Sequence, residues 1–305
     1  MLFRSNNPRV GADVERAAEI LGNGGLVAIP TETVYGLAAI ARDVEAVRRI
    51  FSTKGRPSDH PLIVHVHDAA AAVEWAAEWG ETTERLASRF WPGPLTLVVP
   101  RSDFVPDVVT GGRSTVALRV PDHPLTLALL ARLGDGVAAP SANRFGKVSP
   151  TTATHVIDDL GNDVDYVLDG GACRHGLEST IVDCTTTPVQ ILRPGAITAE
   201  DLMGASVTFG DTTGPSRAPG MLESHYAPRC IVRLHESMPT TVSVGDKEAI
   251  IDASANPMGF AHDMYDHLRR ADADEVSILH VVLPPNTGIG VAIRDRLTKA
   301  AASRQ

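Results

Sequence analysis

Lys54 and Arg56 stand one residue apart where a helical run ends, in DVEAVRRIFSTKGRP. An ammonium is a compact point charge and a guanidinium a planar fork, so the pair suits a polyanion such as a nucleotide phosphate. The same two residues would also complement the negative end of a helix, and their spacing alone leaves both roles open. Five further stretches carry groups that fill a core poorly. Thr31, Thr33 and Tyr35 alternate in PTETVYGL, which in an extended segment puts three hydroxyls on one face. His65 and His67 alternate in PLIVHVHD without a third ligand at a familiar spacing, so they read as hydrogen-bonding imidazoles before a metal pair. Thr115 and Arg119 share one side of a strand in STVALRVPDHP. A guanidinium in so apolar a run needs a protein or ligand carboxylate, because burying it unpaired is costly.

The fourth stretch, APSANRFGKVSPTTATHV, sets Ser141, Asn143 and Ser149 around Gly146, ahead of a helix that Thr151 or Thr152 can cap. Backbone N–H groups in such a stretch make an anion nest. In the fifth, Ser179 and Thr180 run into a strand in GLESTIVD, and Arg193 precedes a Pro-Gly turn in ILRPGAI, where an arginine is commonly only solvated. No GxxxxGK[ST] loop, HExxH helix or GxSxG elbow occurs, which removes the commonest nucleotide-binding, zinc-protease and serine-hydrolase readings.

The elements that must hold these residues alternate. GGLVAIP, PLIVHV, LTLVVP, TVALRV, DYVLDG and STIVDC read as strands, and VERAAEIL, DVEAVRRIF and TERLASRFW as helices. That is an α/β sheet with flanking helices. Around 208–229 the periodicity lapses into a Gly-, Pro- and Ser-rich stretch ending HYAPR. It reads as a linker between a catalytic domain at 1–207 and a small α/β unit at 230–305, whose strands are CIVRLHE, EAIIDAS and VSILHVVLP.

The bulk numbers narrow the partners. A chain of 305 residues with 43% hydrophobic and 21% charged residues can bury more than one core. The formal net charge of −9 disfavours a nucleic-acid backbone as the main ligand, so basic residues gathered in a cleft should serve a small one. Cys173, Cys184 and Cys230 form no CxxC pair and read as buried or incidental thiols. No run reaches the ~18 to 20 apolar residues of a membrane span, and the start lacks a signal-peptide core, so a cytoplasmic protein is expected.

Taken jointly, PTETVYGL, KGRP, HPLIVH, WPGPLTLV, PSAN, ESTIVD and LRPG resemble the YrdC-like family, and APGMLESHYAP with the tail LPPNTGIGVAIRDRL resembles its two-domain form. The resemblance implies a YrdC-like twisted mixed sheet with flanking helices, plus a small C-terminal α/β (Rossmann-like) domain. It implies synthesis of threonylcarbamoyl-AMP and pyrophosphate from L-threonine, bicarbonate and ATP, with magnesium carried on the phosphates and no metal held by the protein. The product would pass to a transferase that modifies tRNA, with direct tRNA contact left open. By the same resemblance Thr33, His65, Arg119 and Ser179 hold L-threonine, Arg119 meeting its carboxylate. Lys54, Arg56, His60, Thr115, Ser141, Asn143, Ser149, Arg193 and Tyr226 bind the nucleotide, with Lys54 and Arg56 as catalytic cations. His60 is a departure, since the family often has Asn in that turn. Removing Lys54 or Arg56 is expected to cost rate, on the order of 3 kcal/mol, with little cost to the fold. The linker, with His225 and Tyr226, is expected to close over the site. Rival readings are a carbamoyl-adenylate-forming carbamoyltransferase and an RNA-binding module on a YrdC-like scaffold.

Overall fold

Short apolar runs bordered by glycine and proline become strands, and capped amphipathic runs become helices. In the computed structural model, which describes residues 9–202, 207–210, 219, 226–239 and 247–302, the chain opens with Val10–Gly11 (β1), Val14–Gly22 (α1), Val27–Ile29 (β2), Gly36–Ile40 (β3), Val44–Lys54 (α2) and Ile63–His65 (β4). Ala69–Glu74 (α3), Glu81–Phe90 (α4), Leu95–Pro100 (β5), Asp107–Thr110 (α5), Thr115–Arg119 (β6), Pro124–Leu133 (α6) and Val137–Ala138 (β7) follow. Ala153–Leu160 (α7), Tyr166–Leu168 (β8), Thr180–Asp183 (β9), Val189–Arg193 (β10) and Val207–Phe209 (β11) complete the large unit. The small unit comprises Ile231–His235 (β12), Glu248–Asp252 (β13), Pro257–Ala273 (α8), Ile278–Val282 (β14) and Ile289–Ala301 (α9).

Among the described residues eleven strands form one mixed sheet in the order β1-β8-β2-β3-β7-β4-β6-β5-β9-β10-β11. β4 and β6 are parallel, β5 and β6 antiparallel. This is the mixed sheet with flanking helices that the sequence implies. The small unit is a three-stranded parallel sheet, β12-β14-β13, carrying α8 and α9, and parallel strands need such helical crossovers. β11 pairs with β10, so the first sheet runs into the stretch read as linker. Most of that stretch, His225 included, lies outside the described residues; Pro219 and Tyr226 are described. Among the described residues no helix is long and apolar enough to cross a membrane.

Local chemistry sets the helices that carry the site. Asp43 caps α2, accepting from the backbone N–H groups of Glu45 and Ala46, and Ala46, Val47, Ile50 and Phe51 bury its inner face. α2 stops at Gly55, whose φ of 65° is left-handed, so the chain turns at once and delivers Arg56 to the sheet. Thr152, of the two threonines expected there, caps α7.

The small unit shares a core with the large one. Val34, Val148 and Leu177 are buried with Phe260, Met264 and Leu268 of α8. Arg269 of α8 reaches Asp159 at 2.6 Å and the carbonyl of Val148 at 2.6 Å. Gly176 lies where a Cβ would meet the carbonyl oxygen of His262 at 2.0 Å, so its lack of a side chain permits the close approach.

Candidate active site

One cleft of about 560 Å³, counted out to its mouth, gathers residues from across the sheet. Its walls include Thr31 and Thr33, Arg56, Ile63 and His65 of β4, Arg119 of β6, Ser141, Glu178, Arg193 of β10, and Tyr226. Sheet register explains the first contacts, since His65 and Arg119 are direct partners across β4 and β6. Ser141 is bridged to Gly36, and Leu37 N–H donates to the Pro140 carbonyl at 2.7 Å. A Cβ on Gly36 would stand 3.2 Å from that of Ala139, so glycine lets the two segments lie flush.

The hydroxyl stretch departs from the sequence expectation. Thr31 to Thr33 form a turn between β2 and β3 instead of a strand face: Thr31 Oγ1 accepts from the N–H groups of Thr33 and Val34 and donates to the Val34 carbonyl at 2.7 Å. Threonine hydroxyls commonly compete for backbone in this way. Thr33 therefore faces the cleft, while Tyr35 turns into the core and donates to the Gly171 carbonyl at 2.7 Å. His67 likewise leaves the strand, half exposed beside Asp68.

The electrostatics are those of an anion site. Arg56 and Arg193 are 9% and 4% exposed, yet among the described residues neither has a carboxylate within ion-pairing distance. Arg193 is held by the Ser179 carbonyl at 2.9 Å, the Ser179 hydroxyl at 3.0 Å and the Pro219 carbonyl at 3.1 Å. Among the described residues Arg56 donates only to the Pro61 carbonyl at 3.1 Å, and its buried Nε has no acceptor. Buried polar groups are nearly always satisfied, so an orphan cationic N–H on a cleft wall points to an anionic ligand. Burial, and then the like charge of Arg193, bring the Arg56 pKa down to about 10.

Arg119 is different. Its Nη2 donates to Glu32 Oε1 at 2.7 Å and to Thr33 Oγ1 at 2.9 Å, and its Nε to the Gly93 carbonyl. The protein carboxylate demanded by the apolar run is therefore Glu32, which sequence reading passed over. Nη1 of Arg119 has no protein acceptor among the described residues and remains for a ligand carboxylate. His65 donates from Nδ1 to the Ile63 carbonyl at 3.3 Å. Burial and Arg119 push its pKa to about 3, so at neutral pH it is an uncharged ring whose Nε2 can accept a hydrogen bond.

The expected residues thus divide. Thr33, Arg56, His65, Arg119, Ser141, Arg193 and Tyr226 meet at the cleft. Ser179 stands behind Arg193. Ser149 donates to Glu178 Oε1 at 2.7 Å, and the Asn143 amide donates to the Lys147 carbonyl at 2.7 Å, so both brace the wall. Lys54 is buried with Nζ on the carbonyls of Ser141 at 2.6 Å and Asn143 at 2.5 Å, a staple across the wall instead of a cation in the cleft. Burial, with Arg56 adding to it, lowers the Lys54 pKa well below the ordinary value. His60 packs beside Phe145. Thr115 opens β6 at the end opposite Arg119; four residues of strand span about 13 Å, so a shared face does not bring the pair to one cleft.

Sequence reading also missed Glu178, Tyr265 and Arg296. Glu178 Oε2 accepts from Tyr265 Oη at 2.6 Å and Arg296 Nε at 2.9 Å. Burial would raise its pKa, but Arg296 and Arg193, with the donating Tyr265 and Ser149 hydroxyls, bring it down to about 2. A signal for Arg296 existed. Ile289, Ala292, Ile293, Leu297 and Ala300 form the apolar stripe of α9, and Arg296 falls on that stripe at helical spacing. The three cysteines are free thiols, and burial raises the pKa of Cys173 to about 12.

A mixed α/β sheet whose cleft holds two buried guanidiniums without carboxylate partners among the described residues, beside hydroxyls, defines a protein for a small polyanionic ligand. A family model described as telomere recombination matches residues 19–195, and one described as threonylcarbamoyl-AMP synthase, C-terminal domain, matches residues 197–302. The chain belongs to the two-domain threonylcarbamoyl-AMP synthase family. The threonylcarbamoyl-AMP synthase of Pyrococcus abyssi is 38% identical, covering 94% of this chain and 94% of its own length. That of Bacillus subtilis is 38% identical over 98% of this chain and 95% of its own. The crystal structure of P. abyssi Sua5 complexed with L-threonine matches with a TM-score of 0.89 at 38% identity, covering 94% of both chains. E. coli YciO, 23% identical with a TM-score of 0.54 over 61% of this chain, shares the fold.

Proposed function

We infer that this chain is an enzyme, an L-threonylcarbamoyladenylate synthase that makes threonylcarbamoyl-AMP and pyrophosphate from L-threonine, bicarbonate and ATP. The observation that carries the reading is the pair Arg56 and Arg193, buried on one cleft wall without carboxylate partners among the described residues, as a triphosphate site requires. Membership of the synthase family and the likeness to a relative solved with L-threonine support the substrates.

In this reading the threonine carboxylate meets Nη1 of Arg119, and Thr33 and the neutral His65 meet its polar atoms. Bicarbonate gives up carbon dioxide and hydroxide, the amine nitrogen adds to the carbon dioxide, and its proton joins the hydroxide as water, leaving a carbamate. A carbamate oxygen then attacks the α-phosphorus, the bond to the β-phosphate oxygen breaks, and pyrophosphate leaves. Alignment and charge neutralisation by Arg56 and Arg193 supply the catalysis. Lys54 contributes by fixing Ser141 and Asn143. Magnesium, when bound to the triphosphate, would supply neutralisation of phosphate charge. The donor set supports that source: among the described residues no group of three or more His, Cys, Asp or Glu could hold a metal, and Glu32 and Glu178 are committed to arginines. The product is an activated anhydride, to be consumed by a transferase acting on tRNA.

Pyrophosphate release, measured while omitting ATP, threonine, bicarbonate or carbamoyl phosphate in turn, tests the reading. Release should need the first three and ignore the fourth. Release driven by carbamoyl phosphate without threonine would instead identify a carbamoyl-adenylate former, and RNA binding with no turnover a binding module.

A further inference from the structure

Glu178 is a negative charge in the wall of a cleft built for anions, and two of the three side chains that hold it come from the small C-terminal unit. Oε1 takes the Ser149 hydroxyl at 2.7 Å from the large unit. Oε2 takes the Tyr265 hydroxyl of α8 at 2.6 Å and Nε of Arg296 of α9 at 2.9 Å. Arg296 is 1% exposed. Its Nη2 donates to the Pro194 carbonyl at 3.0 Å, directly after the ligand-facing Arg193, and its guanidinium lies 5.3 Å from the centre of the Tyr226 ring. Tyr226 in turn stacks on Tyr265 at 5.7 Å. Arg296 also pairs with Asp295, but Lys299 meets that same carboxylate at 2.8 Å, which leaves the charge of Arg296 to answer Glu178.

We propose that Arg296, assisted by Tyr265, is a positioning residue for the nucleotide: it neutralises Glu178 from the small unit so that Arg193 stays available to phosphate and Tyr226 stays in the wall. Without Arg296, Glu178 would keep only Ser149 from its own unit, would repel a polyphosphate, and would compete for Arg193, the other cation whose charge acts on it. An uncompensated charge in a low-dielectric wall acts strongly on its neighbours. The small unit thereby completes the electrostatics of a cleft that it does not itself line, among the described residues.

The inference rests on reading the cleft as a triphosphate site, and the experiment separates the two. Wild-type binding of ATP tests the site reading; the ratios between variants test the role of Arg296. Full-length Arg296→Gln, shown folded by its melting transition, should raise the KM for ATP about tenfold while the KM for threonine stays within about twofold. Glu178→Gln added to it should bring the KM for ATP back to within about threefold of Glu178→Gln alone, because the charge that needed neutralising is gone. An unchanged KM for ATP, an equal rise for both substrates, or a double variant as impaired as the product of the two singles overturns the proposal. Where Arg296→Gln is too unstable to assay, Tyr265→Phe removes one hydroxyl and keeps the helix and the stacked ring. It should raise the KM for ATP about threefold with Glu178 present and have no effect with Gln at 178; equal effects in both backgrounds overturn the role.

Discussion

Replacing Arg56 by methionine should weaken the enzyme and strengthen the fold. Among the described residues Arg56 makes one hydrogen bond, to the Pro61 carbonyl, and leaves Nε buried without an acceptor. Burial and Arg193 hold its pKa at about 10 against the ordinary 12.5. At about 1.36 kcal/mol per pH unit, keeping the cation with no anion beside it costs about 3 kcal/mol. Methionine removes that cost and forfeits one hydrogen bond of about 1 kcal/mol, while its flexible chain fills most of the volume. The net expectation is a gain of about 1 to 2 kcal/mol in urea unfolding at neutral pH. Turnover should move the other way, with kcat/KM for ATP falling about 100- to 1000-fold as one preorganised donor is lost. ATP at a hundred times its Kd should stabilise wild type by about 2.7 kcal/mol and the variant hardly at all. A variant that unfolds more easily than wild type yet keeps its kcat/KM would show Arg56 to be a structural residue and refute the reasoning.

Lys54→Met should behave oppositely in stability: Lys54 is a buried cation too, but its Nζ is answered by two charge-assisted hydrogen bonds, and the carbonyls of Ser141 and Asn143 would lose their shared donor. A loss of about 2 kcal/mol together with slowed pyrophosphate release is expected, which revises the sequence-based view that the fold would hardly notice; unchanged melting would leave Lys54 without its stapling role. His65 is kept neutral in the native state with a pKa of about 3, against an ordinary 6.5. The unfolded chain therefore takes up the proton first, and stability is full above pH 6.5 and lost as pH falls towards 3. At pH 5 His65→Gln should erase about 2 kcal/mol of that loss, read as the difference between the two urea profiles. Glu178, with a native pKa of about 2 against 4.5, adds stability that is present above pH 4.5 and lost only below it, so its window overlaps that of His65 below pH 4.5 and a measurement at pH 5 reads His65 without it. Gly176→Ala should cost more than about 2 kcal/mol, because φ is +68° and the new Cβ would meet the His262 carbonyl oxygen at 2.0 Å; a wild-type melt would mean that the two units do not press together there.

Much of the cleft was legible because its residue types conflict with their surroundings. Arg119 in TVALRV is a charged group in a run otherwise fit for a core, and such a conflict marks a functional site; Arg193, ahead of a Pro-Gly turn, has the look of a solvated arginine and is placed by the family resemblance. The strands that were read are those with β-branched residues and Gly or Pro borders. β3, GLAAI, has one β-branched residue and no alternation, and α6, PLTLALLARL, is apolar on most faces, so neither shows a period to read. Charge pairing was the larger gap. Glu32 and Glu178 sit inside motifs noticed for their hydroxyls, and their partners are 87 and 118 residues away. A sequence can show that Arg119 must be answered without showing by which acid, because side-chain alternation places a residue on a face and leaves its partner across the fold undefined. The same limit hid the small unit's part in the site. Its strands were readable as a small α/β module, yet Tyr265 and Arg296, the residues that tie it to the cleft, gain their meaning only from Glu178, on the loop before β9.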